Sequence, residues 1–226
     1  MKTLAIIPAY NEEESIVDTV EELKALAPQI DYVIVNDGSK DNTLAVCQEH
    51  GYNVLNLPVN VGLTGGFQAG MKYAWENGYD FAVQFDADGQ HRPEFIQKMV
   101  DAAIDQHADI VIGSRFVTEK KQASARMTGS ALISGMIKLT TGKRINDPTS
   151  GMRLYDRNMI KRFISESDFG PEPDTVAYLI RRGANVVEVQ ADMRERSAGE
   201  SYLSFSKSIS YMMRTCMSIL FVQWFR

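Results

Sequence analysis

The chain has 226 residues, a formal net charge of −5 and 44% hydrophobic residues, enough to bury the core of one domain. That acidic balance argues against a general nucleic-acid binder, whose surface is basic, so no nucleic-acid partner is expected. The only two cysteines, Cys47 and Cys216, stand far apart without a CxxC pattern, which fits a reducing compartment and offers no zinc site.

The first run, "TLAIIPAY", lacks the basic region, long apolar core and cleavage site of a secretory signal. No uninterrupted apolar run reaches the roughly 18 residues of a spanning helix. A cytoplasmic location is the expectation. "TLAIIPA" reads as a buried strand and "YVIVND" (32–37) as a second. Between them Asn11 is placed to cap a helix, with Glu14 completing a capping-box-like pattern. Ile16, Val20 and Leu23 then recur at helical spacing. "NVLNLP" (53–58), "FAVQFD" (81–86) and "DIVIGS" (109–114) read as further strands, separated by helices near 64–77 and 93–106. Beyond residue 120 the alternation weakens, with strands at "MRLY" and "ANVVEVQ" and helices near 124–141 and 172–183. Repeated β-α units imply an α/β fold, its mostly parallel central sheet covered by helices on both faces. Such sheets bind ligands at the carboxyl ends of their strands. "NDGS" and "DADGQ" fall there.

The motifs gain meaning from one another. In "FDADGQ", Asp86 and Asp88 stand two apart, and in an extended chain such side chains share a face. Two charges about 4 Å apart repel by roughly 1 kcal/mol in water and about 4 at an intermediate dielectric. Either the pair is a solvated turn or a divalent cation offsets the repulsion. Asp37 in "NDGSKD" suits recognition of a base edge, or serves an ordinary turn. "NVGLTGGFQAG" (60–70), including Gly62, starts a helix where the backbone can approach a ligand closely, or packs tightly on the sheet. Arg115 in "GSRF" suits bidentate pairing with a diphosphate, or is a surface cation. Neither GxxxxGK[ST] nor a GxGxxG after the first strand occurs.

"PAYNE", "NDGS", the glycine-rich stretch, "DADGQ" and "GSR" occur in this order, followed by "DPTSGMRLYDR" (147–157) and "RERSAGES" (194–201). In these motifs the chain resembles glycosyltransferase family 2, enzymes of the GT-A nucleotide-diphospho-sugar transferase fold. The likeness spans about residues 1–200. It lies towards the branch of dolichol-phosphate mannose synthases and bacterial polyprenyl-phosphate glycosyltransferases. The resemblance implies that Pro8, Ala9, Tyr10 and Glu12 form a nucleotide-contacting loop and that Asp37 recognises the base. It implies metal and diphosphate roles for Asp86 and Asp88, with Gln90 assisting the metal. Arg115 lies near the phosphates, and Arg196 and Ser201 belong to an R-x-x-G-x-S segment that folds over the site. Two departures stand out: Asn36 precedes Asp37 where the family often has an aspartate, and Tyr202 replaces a lysine common in the lipid-phosphate branch.

The expected activity is metal-dependent, inverting transfer of a sugar from a nucleotide-diphosphate sugar. The acceptor would be polyprenyl phosphate or a lipid-linked glycan of the cell envelope. Mg²⁺ or Mn²⁺ would stabilise the departing diphosphate, with Asp88 its direct ligand and Arg115 and Arg196 adding charge. A hydroxyl acceptor needs a general base, and Glu172 and Asp174 in "FGPEPDTVAYLIRRG" match the region where family members carry one. Those acids equally suit a helix start. Alternatives are a hydroxyl-acceptor polysaccharide glycosyltransferase, a nucleotidyltransferase of the same fold, and a non-catalytic sugar-nucleotide-binding subunit.

Residues 193–226 carry five basic groups (Arg194, Arg196, Lys207, Arg214, Arg226) against Glu195 and Glu200. A division into a catalytic domain (1–203) and an amphipathic terminal helix (204–226) is expected. Lys207, Ser210, Arg214 and Ser218 would form its polar stripe. Such a helix suits a membrane interface at the inner face of the plasma membrane, a small membrane-protein partner, packing on the domain, or a homo-oligomer contact.

Overall fold

The structure, a computed structural model, describes residues 1–118, 125–166, 169–194 and 205–221, with backbone alone for residues 125, 126 and 205–209. Among these described residues seven strands form one sheet: β1 (Thr3–Ala9), β2 (Asp31–Asp37), β3 (Val54–Leu57), β4 (Phe81–Gln84), β5 (Ile110–Ser114), β6 (Arg153–Asp156) and β7 (Val186–Gln190). Their order across it is β3-β2-β1-β4-β6-β5-β7. Pairing is parallel except at β6, which runs antiparallel to both β4 and β5. This inserted strand matters to the site. The start of an antiparallel strand lies at the same edge as the carboxyl ends of its parallel neighbours. "DPTSGM", leading into β6, is thereby brought beside the ends of β4 and β5.

Among the described residues eight helices cover the sheet: α1 (Ile16–Leu26), α2 (Thr43–Glu49), α3 (Gly62–Glu76), α4 (Glu94–Asp105), α5 (Ala125–Thr141), α6 (Arg157–Ser165), α7 (Pro173–Arg181) and α8 (Phe205–Leu220). Alternation along β1 divides the core. Leu4 and Ile6 face a layer containing Phe67 of α3, Ile133 of α5, Phe163 of α6, Leu179 of α7 and Ile219 of α8. Ala5 and Ile7 face the opposite layer, with Val20 and Leu23 of α1 and Ile96 and Met99 of α4. Each such large apolar side chain contributes roughly 1.5–3 kcal/mol by leaving water. A run of tilted ring contacts, Tyr155–Phe163–Phe169–Tyr178, ties β6 to α6 and α7.

Three local expectations change. Asn11 does not cap α1: it adopts φ 56°, and its Oδ1 accepts from the Lys40 N–H at 2.8 Å, linking the loops after β1 and β2. The helix begins later, with Ser15 at the capping position and the Ile16 N–H donating to the Glu12 carbonyl at 3.0 Å. Next, β4 ends at Gln84, so Asp86 and Asp88 sit in a turn and not on an extended strand. The short helices α2 and α6 are additions to the elements read from sequence. Gly38, after β2, has φ +63°, and a Cβ there would stand 2.6 Å from the Asn60 backbone nitrogen. Glycine alone lets the "NDGS" turn fit under the loop leading to α3.

Candidate active site

The carboxyl ends of β1, β2, β4 and β5 open onto a cavity of about 840 Å³. Pro8, Ala9, Tyr10 and Glu12 line it from β1, Asp37 from β2, and Gly62 from the start of α3. Asp86, Asp88 and Gln90 line it after β4, Arg115 after β5, and Glu172 at the start of α7. Chain segments far apart in sequence thus converge because parallel strands end at one edge. Asp174 is not among the lining residues. Arg196, Ser201 and Tyr202 lie outside the described residues, as does the expected 203/204 boundary.

The two aspartates after β4 are held differently. Asp86, about one-third exposed, accepts from Gln84 Nε2 at 2.8 Å through Oδ1, while Oδ2 lies 3.5 Å from His91 Nε2. Asp88 is buried, and its Oδ1 accepts from the Gln90 N–H at 3.1 Å. His91, which the sequence reading passed over, organises this turn. The Asp86 N–H donates to its Nδ1 at 2.9 Å, which assigns a neutral ring's proton to Nε2, the nitrogen facing Asp86. Gly151 closes the arrangement. A Cβ there would meet Asp86 Oδ2 at 2.7 Å and the His91 ring at 3.3 Å, so "TSGM" needs glycine at this approach.

Asp37 is structurally engaged. Its carboxylate accepts from the Val61 N–H at 2.7 Å and the Gly62 N–H at 2.8 Å, pinning the start of α3 at the cavity rim. Asn36, the family departure, turns to β3, donating from Nδ2 to Asn56 Oδ1 at 2.6 Å. Glu12 Oε2 accepts from Ser15 Oγ at 2.8 Å, so it orders the first loop while lining the cavity. Arg115 is not a loose surface cation. Its Nε and Nη2 donate to the two oxygens of Asp147 at 2.7 and 2.8 Å. Asp147 is fully buried, and the Asn146 and Asp147 N–H groups donate to the Glu188 carboxylate of β7 at 2.7 and 2.8 Å. Its signal was the acid opening "DPTSGMRLYDR".

The two acids at the start of α7 both meet α8, which packs against α5 and α7. Glu172 stands at the capping position without a side-chain cap bond and accepts from the Tyr211 hydroxyl. Tyr211 lines the cavity; burial, together with the Glu172 charge beside it, pushes its phenol well above the ordinary value. Asp174, in contrast to its expected place at the chemistry, accepts from Ser218 Oγ at 2.6 Å and thereby serves the α7–α8 contact. The expected polar stripe of α8 is therefore interrupted: Ser218 turns inward, while Met213, Met217 and Phe221 stay more than half exposed. On the opposite rim, the Arg194 N–H donates to the Gln90 carbonyl at 3.0 Å, and its guanidinium pairs with Glu22 at 2.7 Å. That anchors the first residue of "RERSAGES".

The sequence pattern that defines Glycosyl transferase family 2 matches residues 4–164. The chain belongs to glycosyltransferase family 2. It is a glycosyltransferase of 33% identity over 216 residues to the undecaprenyl-phosphate mannosyltransferase of Micrococcus luteus, covering 90% of this chain and 88% of that one. It is 32% identical to the polyprenol monophosphomannose synthase of Mycolicibacterium smegmatis, covering 91% of this chain and 82% of the other. Among solved structures, the fold matches glucosyl-3-phosphoglycerate synthase from Mycobacterium tuberculosis with TM-score 0.72 at 16% identity, over 96% of this chain and 79% of that one. A mannosyltransferase from Pyrobaculum calidifontis, solved with GDP-mannose and Mn²⁺, gives TM-score 0.70 at 14% identity, over 96% and 63%. These likenesses establish the GT-A fold.

The donor set of this glycosyltransferase suits a cation shared with substrate. Among the described residues no cluster of three or more His, Cys, Asp or Glu side chains is arranged to hold a metal. The protein alone would thus supply one or two oxygen ligands. Mg²⁺ and Mn²⁺ tolerate that arrangement, taking remaining ligands from phosphates and water. The two carboxylates that would offer those oxygens are Asp88, buried in the turn, and Asp86, which is held by Gln84 and faces His91.

Proposed function

We propose that this glycosyltransferase moves a sugar, with inversion, from a nucleotide-diphosphate sugar to polyprenyl phosphate. The observation that carries the reading is one-third identity over about nine-tenths of the chain to two enzymes named for polyprenyl acceptors. A divalent Mg²⁺ or Mn²⁺ at Asp88, assisted by Gln90, would stabilise charge on the departing diphosphate. Asp37, with the loop from Pro8 to Glu12, shapes the nucleotide end of the cavity. Arg115, locked by Asp147, presents a fixed positive charge to the phosphates, with no reorganisation needed as charge develops.

The state of the two candidate bases supports a phosphate acceptor. Glu172 and Asp174 each already accept a hydroxyl hydrogen from α8. A phosphate oxygen is ionised near neutral pH and has no proton to surrender in the transition state. Neither acid is then required as a base.

The membrane lipid would be reached from its surface. No described helix is long and apolar enough to cross a membrane. Met213 and Met217 on α8 and Phe221 just after it, with exposed Arg214 beside them, suit an anionic interface at the inner face. Incubating the chain with a panel of nucleotide sugars, Mn²⁺ or Mg²⁺ and undecaprenyl phosphate should yield one glycosyl-lipid phosphate by mass spectrometry. Transfer to hydroxyl acceptors alone would overturn this reading.

A further inference from the structure

One buried charge in the cavity forms no ion pair among the described residues. Arg153, the first residue of β6, is 1% exposed and lines the cavity. Its Nη2 donates to the Pro148 carbonyl at 2.7 Å, but Nε and Nη1 have no hydrogen-bond partner among the described residues. A guanidinium stays charged at any physiological pH. Buried cations are ordinarily paired, because desolvation of the charge is otherwise uncompensated. Arg115 illustrates the ordinary case, with both fork nitrogens on Asp147. Arg153 has no ion pair among the described residues.

Its position narrows the ligand. Alternation along β6 sends Arg153 to the same face as Tyr155, the layer covered by α3 and α5–α8. The pairing of Leu154 with Val83 sets it beside the carboxyl end of β4, and the cavity that it lines is also lined by Glu172 and Tyr211. From the start of β6, Arg153 thus shares the cavity with Glu172 and Tyr211 of the α7–α8 wall. The Asp88 turn lies after β4, with Gln90 bonded to the segment at Arg194. Within the reaction proposed above, two substrates bring phosphoryl oxygens: the donor diphosphate and the acceptor monophosphate. The metal-binding turn provides for the first, and a separate cation suits the second.

We propose that Arg153 is an acceptor-positioning residue whose unpartnered N–H groups receive the phosphoryl oxygens of the lipid phosphate. The inference rests on the phosphate-acceptor reading and adds the residue that selects a phosphate over an alcohol. The planar fork offers several donors at once, which an ammonium does not.

Calorimetry on the full chain tests it, titrating geranyl phosphate in the presence of Mn²⁺ and nucleoside diphosphate, and separately titrating Mn²⁺–nucleoside diphosphate. In Arg153→Met, geranyl phosphate affinity should fall at least about tenfold, the scale of losing charged hydrogen bonds. Nucleoside diphosphate affinity should stay within about twofold of wild type. Arg153→Lys should recover part of the loss and carries the comparison if the Met variant fails to fold. A matching loss of nucleoside diphosphate affinity would assign Arg153 to the donor and overturn the inference. Unchanged geranyl phosphate affinity in a folded variant would overturn it as a purely structural residue. If the wild type binds no geranyl phosphate, the phosphate-acceptor reading itself falls, a result distinct from either variant outcome.

Discussion

Arg115 and Asp147 form a two-point ion pair, Nε to Oδ2 at 2.7 Å and Nη2 to Oδ1 at 2.8 Å, with the carboxylate wholly buried and the arginine about one-fifth exposed. Two segments, "GSRF" after β5 and "DPTSGM" before β6, are clamped together at the cavity. Removing the carboxylate leaves a largely buried cation without its partner. Asp147→Asn should lower stability by about 3 kcal/mol, the lower end for breaking a buried pair because Arg115 keeps some water. Urea unfolding measures this, and an unshifted midpoint would remove the clamp from the account. Turnover at temperatures where the variant is folded should also fall, since Arg115 is no longer fixed.

Asp88 makes a smaller contribution to folding than to chemistry. It is buried in the turn after β4, where its Oδ1 accepts the Gln90 N–H at 3.1 Å, a bond worth about 1 kcal/mol net. Asp88→Ala should therefore melt close to wild type while losing Mn²⁺-dependent nucleotide binding and transfer. Excess EDTA should have the same effect on the wild type. Full activity in either case would refute the metal assignment.

The exposed face of α8, with Phe221 just after it, can be changed without touching the residues that pack on the domain. Met213, Met217 and Phe221 are 65%, 54% and 55% exposed, whereas Thr215 and Ile219 are buried against the domain. Replacing all three by serine should leave the thermal midpoint unchanged. Binding to anionic lipid vesicles should weaken by roughly 1 kcal/mol or more per side chain, a partial share of full apolar burial. Sedimentation with vesicles is the readout; a triple variant that binds like wild type would exclude this face.

Much of this architecture was legible because buried parallel strands are continuous apolar runs and their ends carry the polar turns. "TLAIIPA", "YVIVND" and "DIVIGS" announce strands, and the motifs after them announce the edge where the cavity lies. The direction of β6 was not legible, since "MRLY" reads alike whether it runs with β4 or against it. Its antiparallel course is set by distant pairings, Leu154 with Val83 and with Val111. The helix α2 escaped because only Thr43 and Cys47 of its seven residues are buried, too few to show a period. In α6, Met159, Ile160 and Phe163 do carry a helical period, but its nine residues follow directly on β6. Residues that line the cavity at strand ends were readable. Asp147, His91 and Arg153 were not, because their roles depend on partners such as Glu188 and Gly151 brought near only by the sheet.

The two acids of α7 separate the acceptor classes. For a hydroxyl acceptor, neutralising the general base should cost about 10²–10⁴-fold in turnover. For a phosphate acceptor no proton leaves the nucleophile, so the loss should stay below about tenfold for Glu172→Gln and Asp174→Asn alike. The structure adds a stability expectation to each. Glu172→Gln keeps an oxygen able to accept from Tyr211, and Asp174→Asn keeps one for Ser218, so each should cost only about 1 kcal/mol. Tyr211→Phe removes the hydroxyl on Glu172 and controls for the contact itself. The measurement is turnover with undecaprenyl phosphate and with a hydroxyl acceptor, at saturating donor, alongside thermal melts. A thousandfold loss in a folded Glu172→Gln or Asp174→Asn variant would defeat the phosphate-acceptor reading and make that carboxylate the base.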